Sequence, residues 1–481
     1  MNKYLVLLIS ILCFGEINWE IEIVDSITLQ SPNEFQYQNF LALDTNDIPH
    51  IVFNKQNYSK LIFARRISNN MWAKELIDSG SFYACPSLIF DRYNTPHCSY
   101  YEMIGQNAYL CYTYRDANLW HKIIIDTISD ILTPYWFPFN YFRTTIDVDN
   151  GGNPGLAYVS FNPADSVFFI KYAYSDGINW QISVVEYDTG CGSINQPSDR
   201  YPNLKFNSQG IPHIGYHHIV GQTDTIRLAW WVDSLNKWVK DTVYNHTYGC
   251  APISFAINNR DEPYIAHGVD VGLYCSYRRD GIWYHEYTGI DIGWLMVNLS
   301  IALNEDSRPS ILYSSYGAVR YCCKDTFWHD YGPIDSTLDN LGDITLLLER
   351  EGKPCVSFRF SDWDRASQVN YYGVKYAKGT VVGIEDSGPG PLVLDKEFKL
   401  KVHPNISYGR LTIEYNLQNK GDVEIGIYDV IGAKRKSIKF KNCQSGNYTK
   451  ILNLSDLASG VYFVALKQNN EKVSKKFLLI K

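Results

Sequence analysis

The chain has 481 residues, roughly three times the length of a typical domain, so more than one domain is expected. Its composition, 45% hydrophobic and 20% charged, excludes wholesale disorder, and an aromatic content of 15% with 37 Tyr favours β-structure. From Ile384 onward there are 16 Lys and Arg against 10 Asp and Glu, and before it 28 against 41, so the acidic main body argues against nucleic acid or an anionic membrane as its partner.

The first fifteen residues have the composition of a secretory signal peptide. A lysine at position 3 precedes the apolar run Tyr4–Phe14, which is too short to span a bilayer, and cleavage is expected after Gly15. A lipoprotein signal would use Cys13, but Leu12 is bulky where a small residue is expected. We therefore predict export, with no transmembrane segment in the mature chain.

Seven copies of a short phrase follow, in which a polar residue is followed five positions later by Pro and then by alternating small and apolar residues that end in an aromatic. The copies are Asp44–Phe53, Asp91–Tyr100, Asp149–Tyr158, Asn207–Tyr216, Asn258–His267, Asn304–Tyr313 and Glu349–Phe358. The prolines are 45 to 58 residues apart, and no helical period is present. This spacing predicts a seven-bladed β-propeller over residues 17–382.

Each repeat divides into four short strands. The proline is expected to open the second strand, the polar residue to bond its own turn, and a tryptophan to open the fourth strand in six units. The seventh unit lacks this tryptophan. The N-terminal segment Asn18–Asp25 is similar to Asn179–Glu186, so we predict that it supplies the missing strand and closes the ring.

The repeats resemble those of secreted sialidase-type (BNR, or Asp-box) propellers. The segment Ser175–Trp180 is close to an Asp box, although it is one residue short between the Asp and the Gly. The resemblance covers residues 17–380 and implies the fold more than an activity. The Arg-Ile-Pro phrase of the sialidases is absent, and its nearest match, Ala64–Ser68, has Ser after the Ile, so a sialidase is not expected.

The C-terminal part begins after a turn-rich linker at residues 383–390. Seven short alternating strands over residues 391–481 predict a small immunoglobulin-like β-sandwich. Three motifs in order, Ile427–Lys434, Leu454–Lys467 and Lys475–Lys481, resemble the C-terminal sorting domain of type IX secretion, although the usual opening Asn-Pro is reversed at Pro404-Asn405. The resemblance implies passage through the outer membrane, with the type IX machinery as a partner. A sandwich that only packs or binds is the alternative.

Long aromatic segments are expected on the face of the ring where the blades are joined. There we predict a ligand surface, because exposed rings beside Asp and Arg stack on and hydrogen-bond to sugars. An apolar plug over the central channel is the alternative. The candidates are Tyr135, Trp136, Phe139, Tyr141, Arg143, Trp294, Arg359, Trp363, Asp364 and Arg365.

Histidines divide into repeated and unrepeated ones. His50, His97 and His213 each follow the repeat proline, so we assign them a shared packing or turn role. His217 and His218 lie outside the phrase and are further ligand-binding candidates. With Tyr216 they could act as acid and base in a polysaccharide lyase, although a surface or core histidine is the simpler interpretation.

No metal or cofactor is predicted. The segment Asp147–Gly151 has some oxygen-ligand character but coincides with the repeat turn, and the cysteines show no zinc spacing. Cys98, Cys111, Cys275, Cys322 and Cys355 fall in predicted strands and are expected to be buried thiols, while Cys191 and Cys250 are the candidate disulfide between neighbouring loops.

Three functions remain open on sequence alone. The first is an exported surface or extracellular propeller that binds a glycan or a protein. The second is a carbohydrate-active hydrolase or lyase with its site on the same face. The third is a structural surface or adhesin component. A compact group of Arg, Asp or Glu, Tyr and His at the channel mouth would favour the enzyme.

Overall fold

A computed structural model gives the fold. It describes every residue except 1–15, 30–37, 56–58, 118, 130–142, 166, 189–201, 221–222, 247–251, 294–297, 316, 336–342, 365–368, 383–399, 404–405, 408–409, 418, 431, 444–445, 455, 469–470 and 480–481. The chain divides into two compact units, Met1–Ile384 and Glu385–Lys481. In the described residues both units are built from strands, with one 3₁₀ turn at Asp233–Leu235.

The first unit begins with a long strand, β1 (Glu16–Leu29), and continues with four-stranded antiparallel sheets. The first sheet contains β2 (Asn39–Leu43), β3 (Pro49–Lys55), β4 (Lys60–Ser68) and β5 (Met71–Ser79), and the second contains β6 (Phe82–Phe90), β7 (Pro96–Ile104), β8 (Asn107–Asp116) and β9 (Leu119–Ile128). The third contains β10 (Thr144–Val148), β11 (Pro154–Asn162), β12 (Val167–Ser175) and β13 (Trp180–Asp188).

Three further sheets follow the same order. The fourth contains β14 (Asn203–Phe206), β15 (Pro212–Val220), β16 (Thr223–Val232) and β17 (Lys237–His246). The fifth contains β18 (Ser254–Ile257), β19 (Pro263–Val269), β20 (Gly272–Arg279) and β21 (Ile282–Asp291). The sixth contains β22 (Leu299–Leu303), β23 (Pro309–Ser315), β24 (Ala318–Lys324) and β25 (Trp328–Asp335).

A seventh four-stranded sheet joins the two ends of this unit. It contains β26 (Ile344–Leu348), β27 (Pro354–Asp364), β28 (Val369–Val382) and, on the far side of β28, the N-terminal strand β1. Trp19 lies opposite Gly379 in this antiparallel pairing. The first strands of successive sheets contact one another in chain order, and β26 contacts both β22 and β2. The all-β prediction and the propeller class are confirmed.

The repeated residues take the structural roles expected of them. The repeat proline opens the second strand of every sheet, where its missing N–H costs least. The polar residue that precedes it closes the turn: Asp44 Oδ1, for example, accepts the N–H groups of Asn46 (2.8 Å) and Ile48 (3.0 Å). His50 lies 3.4 Å from the other oxygen of Asp44 and is buried, which supports the predicted turn role.

The hydrophobic core of this unit lies between neighbouring sheets. Val52 and Phe63 of the first sheet, for instance, pack in one cluster with Leu88 and Tyr100 of the second. Each sheet therefore buries both faces, as the blades of a propeller do.

The second unit contains two sheets. One has the order β29 (Leu400–His403), β31 (Arg410–Leu417), β34 (Gly446–Asn453), and the other has the order β30 (Ile406–Ser407), β36 (Glu471–Leu479), β35 (Gly460–Gln468), β32 (Gly421–Asp429), β33 (Lys434–Cys443). Ile413 of the first sheet and Val464 and Phe477 of the second belong to one buried cluster, which is the arrangement of a β-sandwich.

Candidate functional site

The two ends of the four-stranded sheets define two faces of the first unit. The loop face is the end where the first strands begin and where the chain passes from one sheet to the next. The turn face is the opposite end, which carries the turns between first and second strands. The predicted ligand surface belongs to the loop face, so its described residues are the starting point for a functional site.

At the centre of the loop face, polar side chains link sheets that are distant in sequence. Arg143, just before β10, donates to the carboxylate of Asp343, just before β26, with Nη1 and Oδ1 2.7 Å apart. Asn39 Nδ2 donates to the backbone oxygen of Asp343 at 2.9 Å, and Ser357 Oγ donates to Asn39 Oδ1 at 2.6 Å. The first, third and seventh sheets are therefore tied together at the centre of the loop face, which we call the mouth.

A second group of hydrogen bonds extends the network to the second sheet. Gln38 Oε1 accepts the backbone N–H of Cys85 at 2.6 Å, and Asn54 Oδ1 accepts the N–H of Gln38 at 2.8 Å. Burial raises the pKa of the Cys85 thiol to about 11. A thiol that stays protonated is a poor nucleophile, so Cys85 has no catalytic character here.

The space that the mouth encloses is small. A cavity of about 100 Å³ lies among the first-strand residues there, with Arg143, Asn298 and Asp343 in its wall. A larger cavity of about 780 Å³ runs along the channel toward the turn face, where Asp44, Asp306 and Glu349 border it. A sugar-sized substrate therefore finds more room in the channel than at the mouth.

Farther from the mouth, acidic residues near the ends of the fourth strands, which lie outermost in each sheet, pair with basic residues of the next sheet. We call these contacts between sheets the inner ion pairs; among the described residues they include Asp25–Lys74 (2.6 Å), Asp78–Lys122 (2.7 Å), Asp126–Lys171 (2.9 Å), Glu186–Arg227 (2.6 Å) and Asp335–Lys375 (2.5 Å). A tyrosine at the end of the repeat phrase often joins them, as Tyr158 does with Asp126 at 2.8 Å. Their recurrence identifies them as structural links between sheets.

The group around Glu186 resembles a catalytic centre in composition. Glu186 contacts Arg227, Lys240 at 3.0 Å and the hydroxyl of Tyr216 at 3.3 Å. Burial opposes ionisation of Glu186, but hydrogen bonds and charge from Lys240, with His218 and Arg227, lower its pKa overall. Burial also raises the pKa of Tyr216 far above its usual value, so this phenol is no base near neutral pH.

The side chains of the predicted acid–base candidates Tyr216, His217 and His218 point to two different sides of β15. Tyr216 and His218 lie on the side of β15 that faces Glu186, whereas His217, fully buried, lies on the opposite side because successive side chains of a strand alternate. His217 stands in the same cross-strand row as Ile226 and Tyr244. The three residues therefore do not form one acid–base group.

Other predicted site residues are placed as follows. Arg143 lies at the mouth, and Arg359 is buried in β27. Trp363 and Asp364 belong to β27, but their side chains lie outside the described residues, as do all of Tyr135, Trp136, Phe139, Tyr141, Trp294, Arg365, Cys191 and Cys250. The expected strand thiols at positions 98, 111, 275, 322 and 355 are free and buried.

In the acidic segment Asp147–Gly151 the carboxylates accept hydrogen bonds from backbone N–H groups. Asp147 accepts the N–H of Phe206 in the next sheet at 2.9 Å, and Asp149 accepts those of Gly151 and Asn153 in its own turn. Within the described ranges, no group of three or more His, Cys, Asp or Glu residues is arranged to hold a metal ion.

Two sets of residues are missed by the sequence reasoning. Gln38, Asn298 and Asp343 each directly precede a first strand, as the predicted candidate Arg143 does, and aligning the units on those strands would have revealed the polar mouth. The other set lies between the fourth and fifth sheets, where Ser276 Oγ is 2.7 Å from His267 Nε2 and 2.8 Å from His285 Nδ1. His267 ends its repeat phrase where other units have Tyr or Phe, which was a usable signal.

Comparisons with known proteins identify the second unit. The family model described as the secretion system C-terminal sorting domain matches residues 401–481. This domain marks the chain for export by type IX secretion to the cell surface or the extracellular space, with the secretion machinery as its partner. No helix in the described part of the chain is long and apolar enough to cross a membrane.

None of the curated proteins compared with the chain matches it. Among solved structures, the α-L-arabinanase of Penicillium chrysogenum with arabinobiose is 12% identical over 62% of this chain and 93% of its own, with a TM-score of 0.40. An ulvan lyase, a polysaccharide lyase bound to an oligosaccharide, is 10% identical over 77% and 95%, with a TM-score of 0.43.

A third solved structure is PorZ of Porphyromonas gingivalis, a surface component of the type IX secretion system. It is 10% identical over 92% of this chain and 81% of its own, with a TM-score of 0.26. These values are too low to assign a ligand or an activity to this chain, and the resemblance to sialidase-type repeats stays a prediction.

Proposed function

We propose that the protein is an exported glycan-binding propeller of seven blades, in which the N-terminal strand completes the last blade. Residues 1–15 serve as its signal peptide, residues 17–382 form the propeller and residues 391–481 form the sorting domain. The contacts of β26 with β2 and of β1 with β28 support the closed ring.

One observation favours binding over catalysis. Three described carboxylates near the loop face are engaged in ion pairs: Asp343 by Arg143, Glu186 by Arg227 and Lys240, and Asp126 by Lys171. A general acid or base needs access to its substrate and a pKa near the working pH, whereas these groups hold neighbouring sheets together. The geometry therefore supports recognition on the surface of this face.

The glycan platform is assigned to the aromatic segments that attach around the mouth. The segment with Tyr135, Trp136, Phe139 and Tyr141 ends at Arg143, and Trp294 precedes Asn298; both Arg143 and Asn298 line the mouth cavity. Trp363 and Asp364 end β27, and Arg365 follows them in the chain, at the end of the sheet that lies on the same face. Aromatic rings and flanking charges provide stacking and hydrogen bonding for a sugar ring.

A glycan array tests the proposal. The full chain is applied beside the Trp136→Ala and Trp363→Ala variants, with Tyr93→Ala as the matched control, because Tyr93 is an exposed ring on the turn face. We expect one class of glycan to be retained by the parent and the control, with at least a tenfold loss in one or both tryptophan variants. A folded chain that retains no glycan, or variants that bind like the parent, would redirect the proposal to a protein partner or a structural role.

A further inference from the structure

The repeats share a position that holds an aromatic ring in four sheets and Arg65, Cys323 or Lys378 in the other three. The residue after the repeat proline has a cross-strand partner on the third strand, and in four sheets that partner is an aromatic ring: Tyr114, Tyr174, Trp230 and Tyr277. In the first sheet the same position holds Arg65, opposite His50. An extended cation thus replaces a ring at the boundary between the first and second sheets.

The rings at this position pack against their surroundings in the other sheets. Tyr174 contacts Phe206 of the next sheet with centroids 6.4 Å apart, and Trp230 stacks on His213 at 6.3 Å. They fill the groove between neighbouring sheets near the turn face. Without such a ring, the groove beside Arg65 holds a cavity of about 400 Å³, which is within the size range of small-ligand sites.

The walls of this cavity combine apolar and aromatic side chains with polar and charged ones such as Asn46, Asn94 and Glu75. Phe63 and Ile67 line it from the first sheet, and Phe90 and Pro96 line it from the second. The ring of Phe63 is 6.5 Å from that of Phe90, and His50 lies 4.5 Å from Phe90. A flat ring inserted here would meet the kind of surface that the tyrosines meet elsewhere.

The charged side chains around the cavity take part in hydrogen bonds or ion pairs, with the exception of Arg65. Glu75 accepts from Arg115 at 2.8 Å and from Trp120 at 2.6 Å, and Lys74 contacts Asp25 at 2.6 Å. Asp44 accepts from its own turn and lies beside His50. Arg65 is exposed, and no hydrogen bond or ion pair joins it to another described residue. Its guanidinium can therefore receive an anion from outside.

We propose that the groove beside Arg65 is a binding site for a ring compound that carries a carboxylate. The ring takes the place of the missing aromatic side chain and packs beside Phe90, as Tyr174 packs beside Phe206, and the carboxylate pairs with the guanidinium of Arg65. This site lies on the turn face and is independent of the glycan platform proposed for the loop face.

Saturation-transfer NMR on the full chain tests the site with two sources of this chemistry. The probes are galacturonate, a sugar acid, and 4-hydroxyphenylacetate, an aromatic acid, each compared with its neutral counterpart, galactose or 4-hydroxyphenylacetamide. We expect at least one acid to bind in the millimolar range usual for ligands of about a dozen non-hydrogen atoms, and its neutral counterpart to bind at least tenfold more weakly. Which acid binds identifies the source.

Substitutions at Arg65 distinguish binding at this site from nonspecific binding elsewhere on the protein. Arg65→Tyr introduces the residue type found in four other sheets and should abolish binding while keeping the melting temperature, and Arg65→Lys should weaken binding three- to tenfold. Arg308→Tyr, at an exposed arginine of another turn, is the matched control and should leave binding unchanged. The proposal is overturned if neither acid binds, if a neutral counterpart binds as well as its acid, or if Arg65→Tyr binds like the parent.

Discussion

Single residues decide how this protein responds to acid. Burial lowers the pKa of His50 from 6.5 to about 4, and burial also lowers the pKa of His97, His213 and His285. Below pH 6.5 the unfolded chain therefore takes up protons that the folded chain does not. The free energy of unfolding should hold above this pH and decline as the pH falls toward 4.

The His50→Gln variant measures one part of this effect. For His50 the loss reaches about 3 kcal/mol at the acid end, from a pKa difference converted at about 1.4 kcal/mol per pH unit. Urea unfolding at a series of pH values between 4 and 8 should show a shallower decline in the variant than in the parent. Equal slopes would mean that His50 titrates normally in the folded protein.

The thiols give a second prediction at the scale of the residue. Burial raises the pKa of Cys111 and of Cys355 to about 12, and it also raises the pKa of Cys322 well above its usual value. Because the thiolate is the reactive form, iodoacetamide at pH 8 should label Cys443, which is only partly buried, well before these three. Peptide mass spectrometry after brief labelling provides the comparison. Labelling of Cys322 at the rate of Cys443 would contradict the buried placement.

At the scale of the strand, β1 makes the contacts that a fourth strand makes elsewhere. Glu22 of β1 accepts from Trp72 Nε1 at 2.9 Å and from Arg66 Nε at 3.0 Å, as Glu75 of β5 accepts from Trp120 and Arg115 in the next pair of sheets. Asp25 likewise supplies an inner ion pair. The N-terminal strand is thus integrated on both of its sides, with β28 and with the first sheet.

The Glu22→Ala variant tests this integration. The change leaves Arg66 and the indole N–H of Trp72 without their buried acceptor, so we expect a loss of roughly 2–4 kcal/mol. Glu20→Ala, at an exposed residue of the same strand, should stay within about 0.5 kcal/mol and is the matched control. Denaturant unfolding of both variants gives the values. Equal effects of the two changes would show that β1 does not bridge the sheets.

Much of the strand pattern was predictable from the repeats. Pro49 and its six counterparts open second strands, and Trp120 and its counterparts lie at the start of fourth strands, because a repeated backbone position imposes the same constraint each time. The inner ion pairs were not predicted. Asp126 and Lys171 are 45 residues apart, and only the packing of two sheets brings such side chains together.

The candidate site was less predictable for the same reason. His217 lies outside the repeat phrase, but strand alternation and the packing of the next sheet decide where its side chain points. In the sequence, Arg65 draws notice only as part of the nearest match to the sialidase phrase. Its pairing opposite His50 shows that it stands where four other sheets have an aromatic residue. A repeat identifies the scaffold well, whereas a site formed by several units requires the three-dimensional register.

At the scale of the whole molecule, an exported propeller is followed by a sorting domain, and we assign the propeller to recognition. The sorting domain fixes the destination, since its family model matches residues 401–481. The assignment to recognition rests on paired charges around a narrow mouth, where Arg143 meets Asp343. Catalysis on a bound glycan is therefore the observation that most directly opposes it.

The decisive measurement is the fate of the glycan that the full chain retains on the array. The glycan is incubated with the protein for a day, and both new reducing ends and unsaturated sugar products are quantified by mass spectrometry. The account predicts that the glycan is recovered intact while binding persists. Cleavage by the parent chain that is lost in the Trp136→Ala or Trp363→Ala variant would contradict it and make the protein a carbohydrate-active enzyme.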